Sequence, residues 1–215
     1  MNKLVPSHIK TIKDMKKLLI LFALTLVISI AKAQEEPSVT PDELSHMKFM
    51  GIPMDCDAET FSNRLEKEKG LVRGKYGNVE RPMLKGTFSG YKDCIIVVYA
   101  EDGGNVANVG VVMPTQETFN LLMSQYQTMK SRLMTKYGRP DKEEEGFKNY
   151  EPSTDFGRMR ELRERNAKFE CSFLFKEGMI QLMMTSVDYT GGYIQMFYLD
   201  FKNTIKANAS TLDDL

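Results

Sequence analysis

MIQLMMTSVDYTGGYIQMFYLDF, which spans residues 179–201, is the stretch that decides the fold. In two runs, 179–187 and 193–201, apolar side chains recur at every second position, as they do in a strand that lies on a core. Thr190-Gly191-Gly192 between the runs is typical of a tight turn. Strands that are joined by a short turn pair antiparallel, so this stretch predicts a hairpin within an antiparallel sheet.

The two faces of this hairpin differ in polarity. One face is apolar apart from a tyrosine hydroxyl and comprises Ile180, Leu182, Met184, Ile194, Met196 and Tyr198. The other mixes amide and hydroxyl groups with apolar side chains and comprises Met179, Gln181, Met183, Thr185, Tyr193, Gln195, Phe197 and Leu199. A sheet that is covered on one side buries the first set and shows water the second. We expect Tyr193 and Gln195 to be partly exposed and Phe197 to be shielded, and we predict a partner surface at Tyr193, Gln195, Gln181, Met183 and Thr185.

Further strands extend the sheet in both directions. Five more runs have strand character and are separated by turn-forming residues, namely 71–76, 83–88, 95–99, 106–113 and 169–175. The segment Phe49–Pro53 is predicted to be a brief extended stretch after a short helix that starts at Thr40. The charged segment 141–153, which contains Glu143-Glu144-Glu145, is predicted to be a loop. The sheet should therefore have about seven strands.

Three clear helices accompany these strands. The first is predicted over 57–69, with Asp57 as its cap and Gly70 at its end. The longest is predicted over 115–137, with Thr115 as its cap and an apolar stripe at steps of three and four that comprises Phe119, Leu122, Tyr126, Met129, Leu133 and Tyr137. The third is predicted over 154–166, with an apolar side made of Phe156, Met159 and Leu162.

The order of these elements predicts an α+β fold. An antiparallel sheet of about seven strands should carry its helices on one face, and the order is compatible with two helix-plus-meander halves. The single domain is predicted over 34–203, followed by a polar tail over 204–215.

The N-terminus has the pattern of an export signal. LLILFALTLVISI at 18–30 is apolar but too short to cross a membrane, Lys16 and Lys17 precede it, and Ala31-Lys32-Ala33 follows it. We predict a signal peptide over 1–33 that is cleaved before Gln34, with Met15 as the true start. The mature protein should be periplasmic or secreted, without membrane insertion.

Composition excludes some function classes. Without residues 1–33 the chain has 23 Lys and Arg against 28 Asp and Glu, a net charge of −5. A net acidic chain without a basic tract is a poor binder of nucleic acid, because phosphate contacts need Lys and Arg. His46 is the only histidine left, so Cys56 or Cys94 would have to join it in any dyad. No catalytic residues and no cofactor are predicted.

Each remaining candidate site also has a purely structural explanation. Asp55, Asp57 and Glu59 could serve calcium, although helix capping explains the pattern better. Arg158, Arg160, Arg163 and Arg165 should form a solvated face with local ion pairs, the alternative being a contact with an anion or an acidic partner. Cys171 should be a buried thiol, and Cys56 with Cys94 is the favoured disulfide of an exported protein.

Two motifs carry a family resemblance. The run Met47-Lys48-Phe49-Met50-Gly51-Ile52-Pro53-Met54 and the helix end Leu133-Met134-Thr135-Lys136-Tyr137-Gly138-Arg139-Pro140 resemble those of uncharacterised exported proteins of Gram-negative bacteria. The layout is also similar to the β-lactamase-inhibitor-protein-like fold, which small outer-membrane assembly lipoproteins share. This chain lacks the lipid-bearing cysteine of those lipoproteins. The resemblance implies no catalytic residues.

Two functions follow as hypotheses. The first is a non-catalytic binding or interaction module of the cell envelope, with an unidentified envelope or extracellular partner. The alternative is a histidine-independent hydrolase that uses carboxylates. A pocket that holds two carboxylates about 5–10 Å apart would favour the hydrolase.

Overall fold

The computed structural model describes residues 43–74, 81–100, 104–186 and 191–205, and all of them belong to one compact unit. The strands are β1 Lys48–Phe49, β2 Ile52–Pro53, β3 Val72–Arg73, β4 Met83–Phe88, β5 Tyr91–Ala100, β6 Val106–Val112, β7 Lys142–Phe147, β8 Ala167–Leu174, β9 Gly178–Ser186 and β10 Gly192–Asp200. The helices are α1 Ala58–Lys69, α2 Phe119–Tyr137 and α3 Asp155–Arg163. Residues 201–205 are also helical.

Eight of the strands form one antiparallel sheet in the order β3-β4-β5-β6-β10-β9-β8-β7, and β1 with β2 forms a separate hairpin. The sheet consists of two meanders, β3 to β6 and β7 to β10, which meet where β6 pairs with β10. Each meander follows a helix, α1 in the first half and α2 in the second. The predicted α+β class is confirmed.

The core lies between one face of the sheet and the helices. The predicted apolar face of the final hairpin is buried in it, as are the α2 residues Phe119, Leu122, Tyr126, Met129 and Leu133. Gly192 allows the close approach of α2, since a Cβ there would lie 2.6 Å from Cδ2 of Leu122 and 2.8 Å from the carbonyl oxygen of Thr185. The stripe on the long helix therefore packs as predicted.

Two tight turns have the same backbone geometry. Ser89 and Gly90, between β4 and β5, have φ angles of 48° and 84°. Met50 and Gly51, between β1 and β2, have φ angles of 50° and 85°. Positive φ at both central residues is the signature of a type I′ hairpin turn. The segment predicted as merely extended is thus a closed hairpin.

The predicted loop over 141–153 is wrong in its first half. Residues Lys142–Phe147 form β7, an edge strand that pairs with β8. Glu144 makes an ion pair with Lys168 of β8, whereas Glu143 and Glu145 point to α2, where Lys130 meets both. A charged run is an ordinary sequence for an exposed sheet edge, where it opposes aggregation.

The helix boundaries also need correction. Helix α2 starts after Thr118, whose side chain accepts from the N–H of Leu121, and not after Thr115. Helix α3 starts after Thr154, whose side chain caps it, and ends at Arg163 instead of residue 166, and Phe156 is 61% exposed instead of packed. Helix α1 has the predicted cap Asp57 and ends at Gly70, where φ is +65°.

Several predictions lie outside the described residues. These are the signal peptide, the start at Met15, the cleavage site and the arm that follows it, the helix start at 40–42, and residues 206–215 of the tail predicted over 204–215, whose first two residues, Thr204 and Ile205, are helical. Among the described residues, no helix is long and apolar enough to cross a membrane.

Candidate functional site

A cleft of about 800 Å³ lies between the β1–β2 hairpin and the C-terminal half of α2. The turn after β4 and the β8–β9 connection complete its wall, and β10 contributes to its floor. Ligand sites of small molecules commonly have volumes of about 300–1,000 Å³. The sequence alone does not reveal this cleft, because its lining comes from six separate parts of the chain.

The floor of the cleft is apolar. Met129 and Leu133 of α2 and Met196 and Tyr198 of β10 line it, and each is more than nine-tenths buried. Four of the lining residues are methionines, Met47, Met50, Met129 and Met196. Methionine side chains are flexible and polarisable, so such a floor adapts to apolar groups of different shapes.

Aromatic packing holds the hairpin wall against the sheet. The Phe49 ring is fully buried, lies 5.7 Å from the Phe88 ring in a stacked arrangement, and meets the Tyr198 ring edge-on at 5.0 Å. Each such pair stabilises by about 0.5–1.5 kcal/mol beyond its buried area. The hairpin is consequently part of the core that supports the cleft.

The rim of the cleft is basic. Lys48, Lys69, Arg132 and Lys136 line it together with one carboxylate, Glu177, which gives a net charge of +3 when His46 is neutral. None of the four cations has a carboxylate within 4.0 Å among the residues that the structure describes. The rim therefore presents uncompensated positive charge in a protein whose predicted mature form is acidic.

Two of these cations are positioned by aromatic rings. The guanidinium of Arg132 lies over the Tyr91 ring with its carbon 5.4 Å from the centroid, and its Nη1 donates to the carbonyl oxygen of Ser89. The ammonium of Lys136 lies 4.7 Å from the centroid of the Tyr137 ring. These contacts restrict both side chains without neutralising their charge.

A buried carboxylate anchors the segment before the hairpin. Asp200 is fully buried at the end of β10, and its Oδ2 atom lies 3.2 Å from Nδ1 of His46 and accepts from the backbone N–H of Met47 at 2.7 Å. Its Oδ1 atom accepts from the backbone N–H of Asn203 at 2.8 Å. Burial raises the pKa of Asp200, and these donors oppose that effect.

The helical turn after β10 adds further anchors. The Asn203 amide donates to the carbonyl oxygens of Met54 at 2.7 Å and Val106 at 2.9 Å, and Lys202 donates to that of Leu44 at 3.0 Å. The end of β10 and the helical turn after it thus hold the hairpin at both of its flanks. His46 lines the cleft, but its hydrogen bond within the described residues is to Asp200, not to a cysteine.

The predicted disulfide between Cys56 and Cys94 is wrong, because all three cysteines are free. The backbone of Cys56 bonds to Val106, which pairs with Ala100, six residues along β5 from Cys94. At about 3.3 Å per residue, that is about 20 Å, far beyond the reach of a disulfide. Cys171 is buried as predicted, and burial raises its pKa to about 11.

The exposed fractions of the residues predicted as a partner surface on the final strands differ from those expected. Tyr193 and Gln195 are 8% and 4% exposed, whereas Phe197 is only half-buried, so the expected order is wrong. Gln195 lies between Val112 on β6 and Met183 on β9, and these central neighbours flank its amide on both sides. Gln181 is also buried, whereas Met183 and Thr185 are half-buried. The role of these five residues as a partner surface stays a prediction.

The acidic motif before α1 caps the helix. Asp57 accepts from the backbone N–H and the hydroxyl of Thr60, which confirms its predicted role. Asp55 pairs with Arg64 at 2.8 Å, and Glu59 pairs with Arg73 at 2.6 Å. These ion pairs occupy the carboxylates that the calcium alternative would need.

Two of the four arginines around α3 make the predicted local ion pairs. Arg158 pairs with Glu151 at 2.9 Å, and Arg160 pairs with Glu161 at 3.2 Å. The Arg158 guanidinium also lies 5.9 Å from the centroid of the Phe119 ring. The two pairs account for these arginines without an external anion.

A second polar cluster joins α2 to β7. The Tyr126 hydroxyl donates to Oε1 of Glu145 at 2.6 Å, and the ammonium of Lys130 lies 2.7 Å from Glu145 and from Glu143. Burial and this hydrogen bond raise the pKa of Tyr126. The spacing of Glu143 and Glu145 on one face of a strand is the sequence signal for this cluster, but it becomes visible only once that segment is known to be a strand.

Comparisons with known proteins give no relative. No family model, no curated protein and no solved structure matches this chain. The resemblance to exported proteins of Gram-negative bacteria therefore stays a prediction, and the identification of a site depends on the geometry of the cleft.

Proposed function

We propose that this chain is an exported, non-catalytic binding protein of the cell envelope, periplasmic or secreted, and that the cleft is its ligand site. The observation that carries the proposal is the combination of an apolar floor with a rim of cations that have no ion-pair partner among the described residues, around one cavity. Concave, mostly apolar sites with a few placed polar groups are the common form of small-molecule sites.

The export part of the proposal depends on the N-terminal pattern. A basic pair, a short apolar run and a small-residue cleavage site occur in order before Gln34. The intact mass of the protein from the exported fraction should correspond to a chain that starts at Gln34. A mass that corresponds to a start at Met1 or Met15 would contradict export with cleavage.

The hydrolase alternative has weaker support. Lys130 brings Glu143 and Glu145 together, but its ammonium forms ion pairs with both carboxylates. A carboxylate mechanism needs one protonated and one ionised group with access to substrate. In the cleft, Glu177 is the one acidic lining residue, and Asp200 is buried and already accepts from two backbone N–H groups.

A neutral fluorescent probe, N-phenyl-1-naphthylamine, tests the cleft as a binding site. Saturable binding at one site per chain is expected, and Ser45→Phe should weaken it about tenfold by filling the cleft mouth. Ser45 is exposed and lines the cleft, whereas Ser124 is exposed on α2 outside the cleft, so Ser124→Phe is the matched control. Equal binding by both variants would mean that the probe does not occupy the cleft.

A further inference from the structure

Helix α2 contributes both kinds of surface to the cleft. Met129 and Leu133 belong to its apolar floor, and Arg132 and Lys136 belong to its basic rim. Because residues three and four positions apart lie next to each other on a helix, each of these two floor residues has a cation beside it. The same two turns of helix thus place apolar and cationic groups side by side along the cleft.

The cations of the rim belong to those that make no ion pair within the described part of the chain. Elsewhere, Lys130 meets Glu143 and Glu145 at 2.7 Å, and Lys168 meets Glu144 at 2.6 Å and Glu170 at 2.8 Å. The cations of the rim have no such partners among the described residues. A cluster of unpaired cations around a low-dielectric cavity attracts and orients anions.

We infer that the cleft binds a single-chain amphiphile with an anionic head group, of the fatty-acid class. This inference deepens the proposed function and rests on it. The head group lies at the rim, within reach of Arg132 and Lys136. The alkyl chain lies above the apolar floor, against the half-buried side chains of Met50, Tyr137 and Phe175. Burial of the chain supplies affinity, at about 0.8 kcal/mol for each buried CH₂ group, and the cations select the charge of the head.

The shape of the site favours a chain over a small anion. A small oxyanion such as phosphate is held by several convergent donors. Here the lining combines the cations and the side chains of Ser45, His46 and Ser89 with methionine, leucine and aromatic side chains, and the apolar groups among these offer a bare anion nothing. An alkyl chain, in contrast, matches the flexible thioethers of the floor. The occupant must therefore bring apolar surface as well as negative charge.

The experiment uses the methionines of the floor as reporters. The mature protein is labelled with ¹³C at its methionine methyl groups and titrated with four monomeric probes that share one alkyl chain. They are dodecanoate, dodecyl phosphate, dodecanol and dodecyltrimethylammonium, each kept below its micellar concentration. The signals of Met47, Met50, Met129 and Met196 report binding in the cleft.

The charge requirement is tested with two double variants of equal net charge. Arg132→Gln with Lys136→Gln removes two cations of the rim, and Lys142→Gln with Lys148→Gln removes two exposed lysines outside the cleft. In the wild type, we expect each anionic probe to bind at one site per chain, and the alcohol and the cationic probe to bind about tenfold more weakly. The rim variant should weaken the binding of the anionic probes about tenfold. The control variant should leave the affinity for all four probes unchanged. The tighter anionic probe identifies the head group as carboxylate or phosphate.

Two results would overturn the inference. They are an affinity of the alcohol equal to that of the anions, and a titration in which the anions leave the signals of the four cleft methionines unchanged. In each case, continued binding of N-phenyl-1-naphthylamine that Ser45→Phe weakens would leave the proposed function standing. Loss of that binding as well would remove both.

Discussion

The Oδ2 atom of Asp200 accepts a hydrogen bond from the backbone N–H of Met47 at 2.7 Å, across 153 residues of chain. The carboxylate is fully buried, and its other oxygen accepts from the backbone of Asn203. A buried carboxylate is tolerated only where its oxygens have partners. This one therefore fixes the hairpin wall of the cleft to the end of the central strand.

Asp200→Asn should destabilise the fold by about 3 kcal/mol, because an amide offers one acceptor oxygen where the carboxylate offers two, and one buried donor loses its partner. Urea-induced unfolding at pH 7 measures the change. Asp93→Asn is the control, since Asp93 is exposed and its pair with Lys85 is a surface ion pair. Equal stability of Asp200→Asn and wild type would mean that the anchor contributes nothing.

The three thiols should differ in reactivity, because only the thiolate is nucleophilic. Burial raises the pKa of Cys171 to about 11 and also raises those of Cys94 and Cys56. In folded, unreduced protein at pH 8, iodoacetamide should modify the half-buried Cys56 first and the other two only after unfolding. Mass spectrometry of the peptides gives the order. A disulfide-linked peptide of Cys56 and Cys94 would contradict the free thiols.

One buried side-chain amide should destabilise the fold, and a substitution should remove this cost. Gln125 is 5% exposed on the core side of α2, and neither its oxygen nor its nitrogen has a hydrogen-bond partner within the described part of the chain. Gln125→Met should stabilise the fold by about 1 kcal/mol, since an unsatisfied buried polar group is replaced by an apolar side chain of similar shape. Thermal unfolding measures this.

The matched control for that substitution is Gln127→Met, because Gln127 is exposed on the same helix. It should change stability by less than about 0.5 kcal/mol. Destabilisation by Gln125→Met would show that the amide has a partner that matters, for example an ordered water.

Sequence reasoning found the elements that repeat a pattern and missed those that depend on distant partners. The final hairpin and the stripe of α2 are periodic, so their strands, helix and buried faces could be predicted. Segment 142–147 has no such pattern, and it is a strand because its backbone pairs with β8, which lies much later in the chain. Likewise, Thr115 and Thr118 are equally good caps by residue type, and tertiary packing chooses between them.

The site was harder to predict than the fold for the same reason. His46 and Asp200 are 154 positions apart, and the cations of the rim come from the hairpin, from the end of α1 and from α2. Each of these lysines and arginines alone resembles an ordinary surface residue. Only the folded chain brings them around one apolar floor.

Leu133→Ala tests whether the stripe of α2 carries the core, because Leu133 is 5% exposed and packs in the main hydrophobic cluster. The substitution should destabilise the fold by about 2–5 kcal/mol through lost burial and the cavity that it leaves. Leu121→Ala is the control, since Leu121 is on the same helix but 55% exposed, and its cost should stay below about 0.5 kcal/mol. Urea-induced unfolding of both variants and wild type gives the comparison.

Because Leu133 also lines the cleft, its truncation enlarges the apolar floor, and the variant should still bind N-phenyl-1-naphthylamine at a temperature where it is folded. An unchanged free energy of unfolding for Leu133→Ala would mean that this face of α2 is not held against the sheet, and the cleft would then lack the rigid wall on which the ligand proposal depends.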